Sequence, residues 1–182
     1  MATASYRGIR PTLGARVYID ASAVVIGQVT IGDDSSIWPT AVLRGDVNTI
    51  SIGARTSIQD GTVGHVTHDG IYRPGGRALI VGDDVTVGHR VVMHACTIGN
   101  KCLVGMGSII LDDVVVEDLV MIGAGSVVAP GKKLESGGLY VGSPARRVRD
   151  LKQTEIDFFT YSAAHYVKLK DEYLSETISG RP

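Results

Sequence analysis

The sequence predicts an all-β solenoid, a parallel β-helix of six-residue repeats that is followed by one C-terminal α-helix. Three observations predict this fold: aliphatic residues recur at every sixth position, glycine directly follows several of them, and only the C-terminal segment changes to a helical period. A helix would repeat its apolar residues every three or four positions, and a half-buried strand every second position. A period of six instead suits short strands that turn a corner each time, with three sides to each coil.

The repeat runs through most of the chain in blocks that are separated by changes of register. Its inward positions are Leu13, Ile19, Val25, Ile31, Ile37, Leu43, Ile52, Ile58, Gly64, Val81, Val87, Met93, Ile98, Val104, Ile110, Val116, Ile122 and Val128. Three residues are inserted after Leu43, a longer segment follows Gly64, and one residue is missing before Ile98. Grouped in threes, these positions predict about six coils.

Two regions follow from the change of period. Residues 1–149 form the repeat domain, with an irregular lead-in over 1–12, and residues 150–182 form the helix and tail. From about Thr154 to Leu174, apolar residues such as Phe159, Ala163 and Tyr166 recur at spacings of three or four, as an amphipathic helix requires. We expect this helix to pack along one side of the solenoid.

Composition excludes several classes of partner. A net charge of −1, from 18 basic and 19 acidic residues, gives no electrostatic footprint for nucleic acid. No apolar stretch approaches the roughly 20 residues that span a membrane, and the N-terminus lacks the apolar core of a signal peptide. We therefore expect a cytoplasmic protein. Cys96 and Cys102 have neither metal-ligand nor disulfide spacing, which predicts small buried thiols.

Counting the sides of the solenoid brings two histidines together. Leu43, Gly64 and Met93 fall on the same side of successive coils, so the residues that follow them, including His65 and His94, stack on that side. Neighbouring strands lie about 4.8 Å apart, which is close enough for two imidazoles to share a metal ion. The count therefore predicts half of a metal site within one chain.

His89 belongs to a different side of the solenoid. It follows Val87, one side earlier in the same coil as His94, and so points around a corner from the other two histidines. If all three bind one metal, His89 must come from a neighbouring subunit. Three solenoids around a threefold axis would then hold three equivalent sites at their interfaces.

The motifs resemble those of the γ-class carbonic anhydrase family, in its bacterial YrdA-type branch. They are R-G-D at 44–46, Q-D at 59–60, a histidine at 65, and H-x4-H at 89–94. The resemblance covers nearly the whole chain, and it implies a left-handed β-helix that assembles as a homotrimer. It also implies that His65, His89 and His94 bind Zn²⁺, with Fe²⁺ or Co²⁺ as the alternatives.

The same resemblance gives roles to the other motif residues. Gln59 corresponds to a side chain that hydrogen-bonds the metal-bound water, and Arg44, Asp46 and Asp60 correspond to a structural ion-pair group near the interface. The best-studied enzymes of the class also carry glutamates beside the metal that shuttle protons. This sequence has none at the corresponding places, which predicts slow turnover.

The ligand set indicates the chemistry. Three neutral imidazoles leave one coordination position open, as in catalytic zinc sites, and the metal lowers the pKa of its bound water from near 16 to about 7. The resulting hydroxide can attack carbon dioxide to give bicarbonate, the reaction of a lyase. Two alternatives remain: an acetyl-CoA-dependent acyltransferase of the same superfamily, which needs one histidine as general base, and a non-catalytic metal-bearing assembly subunit.

Overall fold

The computed structural model describes residues 2–178 and contains short strands followed by one helix. The elements are β1 (Thr3–Ala4), β2 (Thr12–Leu13), β3 (Tyr18–Ile19), β4 (Val24–Ile31), β5 (Ser36–Ile37), β6 (Val42–Ile52), β7 (Ser57–Ile58), β8 (Val63–His65), β9 (Leu79–Val81), β10 (Thr86–Val87), β11 (Val92–His94), β12 (Thr97–Ile98), β13 (Leu103–Val104), β14 (Ile109–Ile110), β15 (Val115–Val116), β16 (Met121–Ile122), β17 (Val127–Val128), β18 (Lys133–Leu134), β19 (Gly138–Gly142), β20 (Ala145–Asp150) and α1 (Gln153–Ile178).

The strands stack into three parallel faces, as the period of six predicts. Face A runs β1, β4, β6, β8, β11, β14, β17, and face C runs β3, β5, β7, β10, β13, β16, β19, with β20 added antiparallel. Face B runs β2, β4, β6, β9, β12, β15, β18, because β4 and β6 bend around the corner from face A. The predicted solenoid with a C-terminal helix is confirmed.

The core is the column of inward side chains between the three faces. Most predicted inward positions are almost completely buried, and the column continues past Val128 to Leu134 and Tyr140, so the solenoid is longer than the predicted six coils. Leu13 was wrongly predicted to be buried and is 43% exposed. It lies on β2, which pairs only with β4 and so forms the end of face B, where no further coil covers it.

Gly64 occupies an inward position because its neighbours already fill the space. A Cβ atom there would lie 2.7 Å from the Leu43 side chain and 2.9 Å from that of Leu79, which is too close for real contacts. Leu79 begins β9 and adds a second inward side chain beside Val81. The glycine therefore lets β8 stay in register with β6 and β11, and this register fixes the backbone of His65.

Helix α1 packs against face C. Phe159 and Ala163 are buried, as the helical period predicts, and the Ser162 hydroxyl lies 2.8 Å from that of Thr86 on β10. Further along, Tyr166 contacts Trp38 edge-on, with ring centroids 6.1 Å apart. The helix extends beyond the predicted Leu174. No helix within residues 2–178 is long and apolar enough to cross a membrane.

A buried lysine fastens the far end of α1 to the solenoid, which the periodicity did not predict. The Lys170 side chain is 0% exposed, and its Nζ donates to Asp34 at 2.9 Å and to Asp171 at 2.5 Å. Arg16 donates to the same two carboxylates from the solenoid side, at 2.8 and 3.0 Å. The four charges balance one another, which is what allows an ammonium group to be buried here.

Replacing Lys170 should therefore loosen the helix. We expect Lys170→Ala to lower the free energy of unfolding by about 2 to 3 kcal/mol. The substitution removes one of the two cations, so the carboxylates of Asp34 and Asp171 are left with Arg16 alone to offset their charges. Chemical denaturation measures the change. The exposed Lys168→Ala on the same helix is the matched control and should change stability by less than about 0.5 kcal/mol. Equal stability of the two variants would contradict this account of the ion pairs.

Candidate metal centre

His65 and His94 lie side by side at the end of face A. Strands β8 and β11 pair in register, with Val63 opposite Val92 and His65 opposite His94. The two rings have centroids 5.2 Å apart, and His65 Nδ1 lies 3.1 Å from His94 Nε2. The structure thus places the two residues next to each other, and one nitrogen of each ring faces the other ring.

The second nitrogen of each ring contacts a carboxylate. His65 Nε2 lies 3.1 Å from Asp46 Oδ1, and His94 Nδ1 lies 2.6 Å from Asp112 Oδ1. Burial alone would raise the pKa of both aspartates, but hydrogen bonds lower the pKa of each below its ordinary value. The hydrogen bonds to Asp46 come from His65 and Arg44. Those to Asp112 come from Thr67 and His94. Both carboxylates are therefore ionised and can only accept hydrogen bonds from the imidazoles.

This arrangement determines the tautomers. Because His65 donates from Nε2 and His94 donates from Nδ1, the nitrogens that face each other at 3.1 Å both carry lone pairs when the rings are neutral. Burial lowers the pKa of His65, which favours its neutral form. Two lone pairs at this distance repel each other unless a cation lies between them. Zinc bound at about 2.0 to 2.1 Å with tetrahedral angles would hold two nitrogens roughly 3.3 Å apart, so the pair fits a metal ion.

His89 has the same kind of support at a different corner. It lies between β10 on face C and β11 on face A, and its Nδ1 is 2.8 Å from Asp60 Oδ2. Its side chain is 47% exposed, and the hydrogen bond leaves Nε2 as the nitrogen available to a metal. In the part of the chain that the structure describes, no group of three or more histidine, cysteine or acidic side chains is placed so that it could hold a metal ion. Within one chain the candidate site is therefore divided into two parts, at opposite ends of face A.

A cavity of about 270 Å³ adjoins His89, between face C and α1. Gln59 forms part of its wall and is buried, and Tyr166 of α1 lines the same cavity. Met106 and Phe158 contribute apolar surface to the same cavity. The structure thus brings Gln59 to the His89 part of the site, away from the pair formed by His65 and His94.

The remaining motif residues divide between the two parts. Arg44 forms an ion pair with Asp46 beside His65, whereas Asp60 lies at the other corner with His89. Within one chain Asp60 contacts His89. The hydrogen bond and ion pair of Arg44 are with Asp46, not with Asp60. The three residues therefore do not form one ion-pair group inside a single subunit.

Sequence reasoning missed Asp112 as a member of the site. Asp112 lies two residues after the inward Ile110, one coil beyond His94, and only the direction of its side chain at the corner brings it to the ring. Tyr166 was predicted as a packing residue of the helix. Cys96 and Cys102 are buried, which confirms the prediction of small buried thiols, and burial raises the pKa of each thiol to about 12.

Comparisons with known proteins agree with the sequence motifs. A family model described as bacterial transferase hexapeptide (six repeats) matches residues 10–45 and 95–130. The chain is 56% identical over 177 residues to protein YrdA of Escherichia coli K12, an alignment that covers 97% of this chain and 96% of that protein. The chain belongs to the YrdA-like, γ-carbonic-anhydrase-like family of hexapeptide-repeat proteins. The resemblance seen in the motifs is thereby confirmed.

More distant members support the same placement. Mitochondrial gamma carbonic anhydrase 2 of Arabidopsis thaliana is 45% identical over 168 residues, which are 91% of this chain and 59% of the plant protein. A crystal structure of a hexapeptide transferase family protein from Anaplasma phagocytophilum is 40% identical, with a TM-score of 0.86 over 94% of this chain and 98% of that one. A Bacillus cereus structure named as an acetyltransferase is 36% identical, with a TM-score of 0.88 over 95% and 96% of the two chains.

The Asp112 contact generates a test of the site. We expect Asp112→Asn to weaken zinc binding by about 10- to 100-fold, because the amide no longer holds the proton on His94 Nδ1 as firmly. Metal affinity is measured by competition with a chromogenic chelator. Asp118→Asn is the matched control, because it removes the same charge from an exposed corner of the solenoid where the side chain accepts hydrogen bonds from Asn100. Equal losses in both variants would show that general charge, and not the imidazole contact, sets the affinity.

Proposed function

We propose that the protein is a metal-dependent, γ-carbonic-anhydrase-like lyase that converts carbon dioxide to bicarbonate at sites shared between the subunits of a homotrimer. One observation carries this proposal: each of three histidines has one ring nitrogen held by an aspartate. The nitrogens left free are Nδ1 of His65, Nε2 of His94 and Nε2 of His89. A carboxylate that orients a histidine in this way is the usual outer partner of a metal ligand.

Sharing between subunits follows from the positions of the two parts. His65 and His94 lie where face A meets face B, and His89 lies where face C meets face A. Contact between the pair of one chain and the His89 of the next uses two different surfaces, and repetition of such a contact closes a ring when the rotation between neighbouring subunits divides a full turn. The family resemblance favours a ring of three, with zinc as the expected metal and iron or cobalt as alternatives that imidazole also suits.

The chemistry requires a bound water of lowered pKa, which a divalent metal supplies by bringing that pKa to about 7. The chain's own residues provide the surroundings. Val63 and Val92 precede the two histidines by two residues and so point outward on the same side of their strands. They give an apolar wall that suits carbon dioxide.

Two polar residues complete the surroundings. Gln59, which lies with Tyr166 in the wall of the cavity beside His89, presents an amide that can orient an oxygen of the water or of bicarbonate. Arg44 offsets the negative charge of Asp46 beside the histidine pair.

An acyltransferase is the second candidate, because the Bacillus cereus structure carries that name and shares the fold closely. A general-base mechanism needs one histidine beside an acyl donor. It gives no reason for three histidines that each have an aspartate on one nitrogen. The lyase therefore accounts for more of the side chains, and acetyl-CoA binding separates the two proposals.

Direct assays test the lyase. After purification without chelator, we expect a homotrimer by light scattering, about one transition metal per chain by elemental analysis, and metal-dependent hydration of carbon dioxide in a stopped-flow pH assay. Turnover should be slow because the sequence has no glutamate at the places where the best-studied enzymes of the class carry their proton shuttles. A protein that lacks metal and binds acetyl-CoA tightly would favour the acyltransferase instead.

Mixing two inactive variants tests the sharing of the site. His89→Ala and His94→Ala should each lose tight metal binding, because two imidazoles rarely hold zinc firmly. In a mixed trimer, the His65 and His94 of a His89→Ala chain can meet the His89 of a His94→Ala chain. We therefore expect the refolded mixture to recover a measurable fraction of metal and activity, while each parent alone has almost none.

The control for this mixture is His165→Ala on α1, which removes an exposed histidine that stacks on Tyr161. It should bind metal like the unmodified protein. Native mass spectrometry of mass-tagged chains shows whether mixed trimers form. If they form and bind no more metal than the parent variants, a site shared in this way is excluded.

A further inference from the structure

The segment between β8 and β9, residues 66–78, carries two apolar side chains that one subunit leaves in water. We call this segment the site loop, because it begins directly after His65. Ile71 and Tyr72 at its tip are 86% and 90% exposed, the highest values among the large apolar residues that the structure describes. Side chains of this kind usually mark a contact surface when they are clustered.

Hydrogen bonds hold the site loop in one conformation, so its tip is exposed in an ordered segment. Backbone hydrogen bonds join Thr67 to Arg77 at its base and Gly70 to Arg73 at its tip, which makes Ile71 and Tyr72 the central residues of a turn. The Thr67 hydroxyl donates to Asp112 at 2.5 Å.

Two arginines of the loop complete the bracing. Arg73 and Arg77 both form ion pairs with Asp113. A tip held in one conformation loses little freedom when it docks, which favours binding.

A complementary apolar surface surrounds the cavity beside His89. Met106 is 58% exposed and Phe158 is 45% exposed, and both line this cavity of about 270 Å³ between face C and α1. Its volume is below the roughly 300 to 1,000 Å³ that is typical of small-molecule pockets, and it suits one large side chain. Within one chain, the cavity and the site loop lie at opposite ends of face A.

The loop and the cavity occupy the same three coils. The first coil has Gln59 in the cavity wall and His65 at the base of the loop. The second has His89 beside the cavity and His94 in the pair. The third has Met106 in the wall and, at the other end of face A, the Asp112 and Asp113 side chains that brace the loop.

We propose that the tip of the site loop, Ile71 and Tyr72, docks into the apolar cavity beside His89 of the neighbouring subunit and covers the shared site. The inference rests on the proposed function, which brings the His65 and His94 of one chain to the His89 of the next. If the solenoid axes of the two subunits are parallel, the contact between the His65 and His94 of one chain and the His89 of the next places corresponding coils at the same level along the axis. The loop then extends past the neighbour's His89 toward Met106 and Phe158, and each of the two exposed apolar surfaces buries the other.

Engineered disulfides test the docking. A chain that carries both Tyr72→Cys and Met106→Cys should form covalent dimers and trimers on mild oxidation with diamide, and reductant should remove them. The native Cys96 and Cys102 are buried, and burial raises the pKa of each to about 12, so they should contribute no background. The matched control pairs Tyr72→Cys with Val115→Cys, which is exposed on face B and should give monomers only.

A second variant measures what the contact contributes. Ile71→Ser combined with Tyr72→Ser should raise the dissociation constant of the trimer at least tenfold relative to Val115→Ser, by light scattering over a dilution series. Metal-loaded trimers that give no cross-link and lose no affinity would overturn the docking and leave the proposed lyase standing. A protein that is monomeric and free of metal would overturn the shared site itself, and the docking with it.

Discussion

The register between coils is the constraint on which the rest of the structure depends. Parallel pairing repeats each backbone position about 4.8 Å further along the axis, so a residue's place in the hexad decides its neighbours. His65 and His94 are 29 residues apart along the chain and still lie directly opposite each other. The stacked core holds this register, because a slip of one residue would turn inward side chains outward. The separation of the two rings is therefore a property of the fold as a whole.

Electrostatics then determines what the paired rings can do. Ionised Asp46 and Asp112 fix protons on the far sides of His65 and His94, so the near sides present two lone pairs to each other when both rings are neutral. The two facing lone pairs repel each other unless a cation lies between them, so the two rings are already oriented to bind a cation. His89 receives the same support from Asp60 at the opposite corner. Three carboxylates thus orient three imidazoles, although within one subunit His89 lies away from the other two.

The sequence predicted what depends on period and missed what depends on side-chain direction. Counting hexads placed His65 beside His94 and set His89 around a corner, because both statements concern the backbone position of a residue in its coil. The contact of Asp112 with His94 depends on a rotamer at a corner, which no period encodes. The burial of Lys170 depends on how α1 is rotated on face C, and the position of Tyr166 in the cavity wall with Gln59 depends on the same rotation.

The interruptions of the repeat are as informative as the repeat itself. Three residues are inserted after Leu43, a long segment after Gly64, and one residue is missing after Met93. Each interruption lies where face A turns into face B, on the three successive coils that provide Arg44, His65 and His94.

The other corners keep the period of six from Leu13 to Leu43 and again from Ile98 to Val128. If these coils also kept the period of six, each would make the same short turn at the corner between faces A and B. The first insertion supplies Asp46, the second supplies the braced loop, and the shortened turn passes through Ala95, whose φ of 49° lies in the left-handed region. Departures from a regular pattern are expected where function opposes it, and here they coincide with one corner of one face.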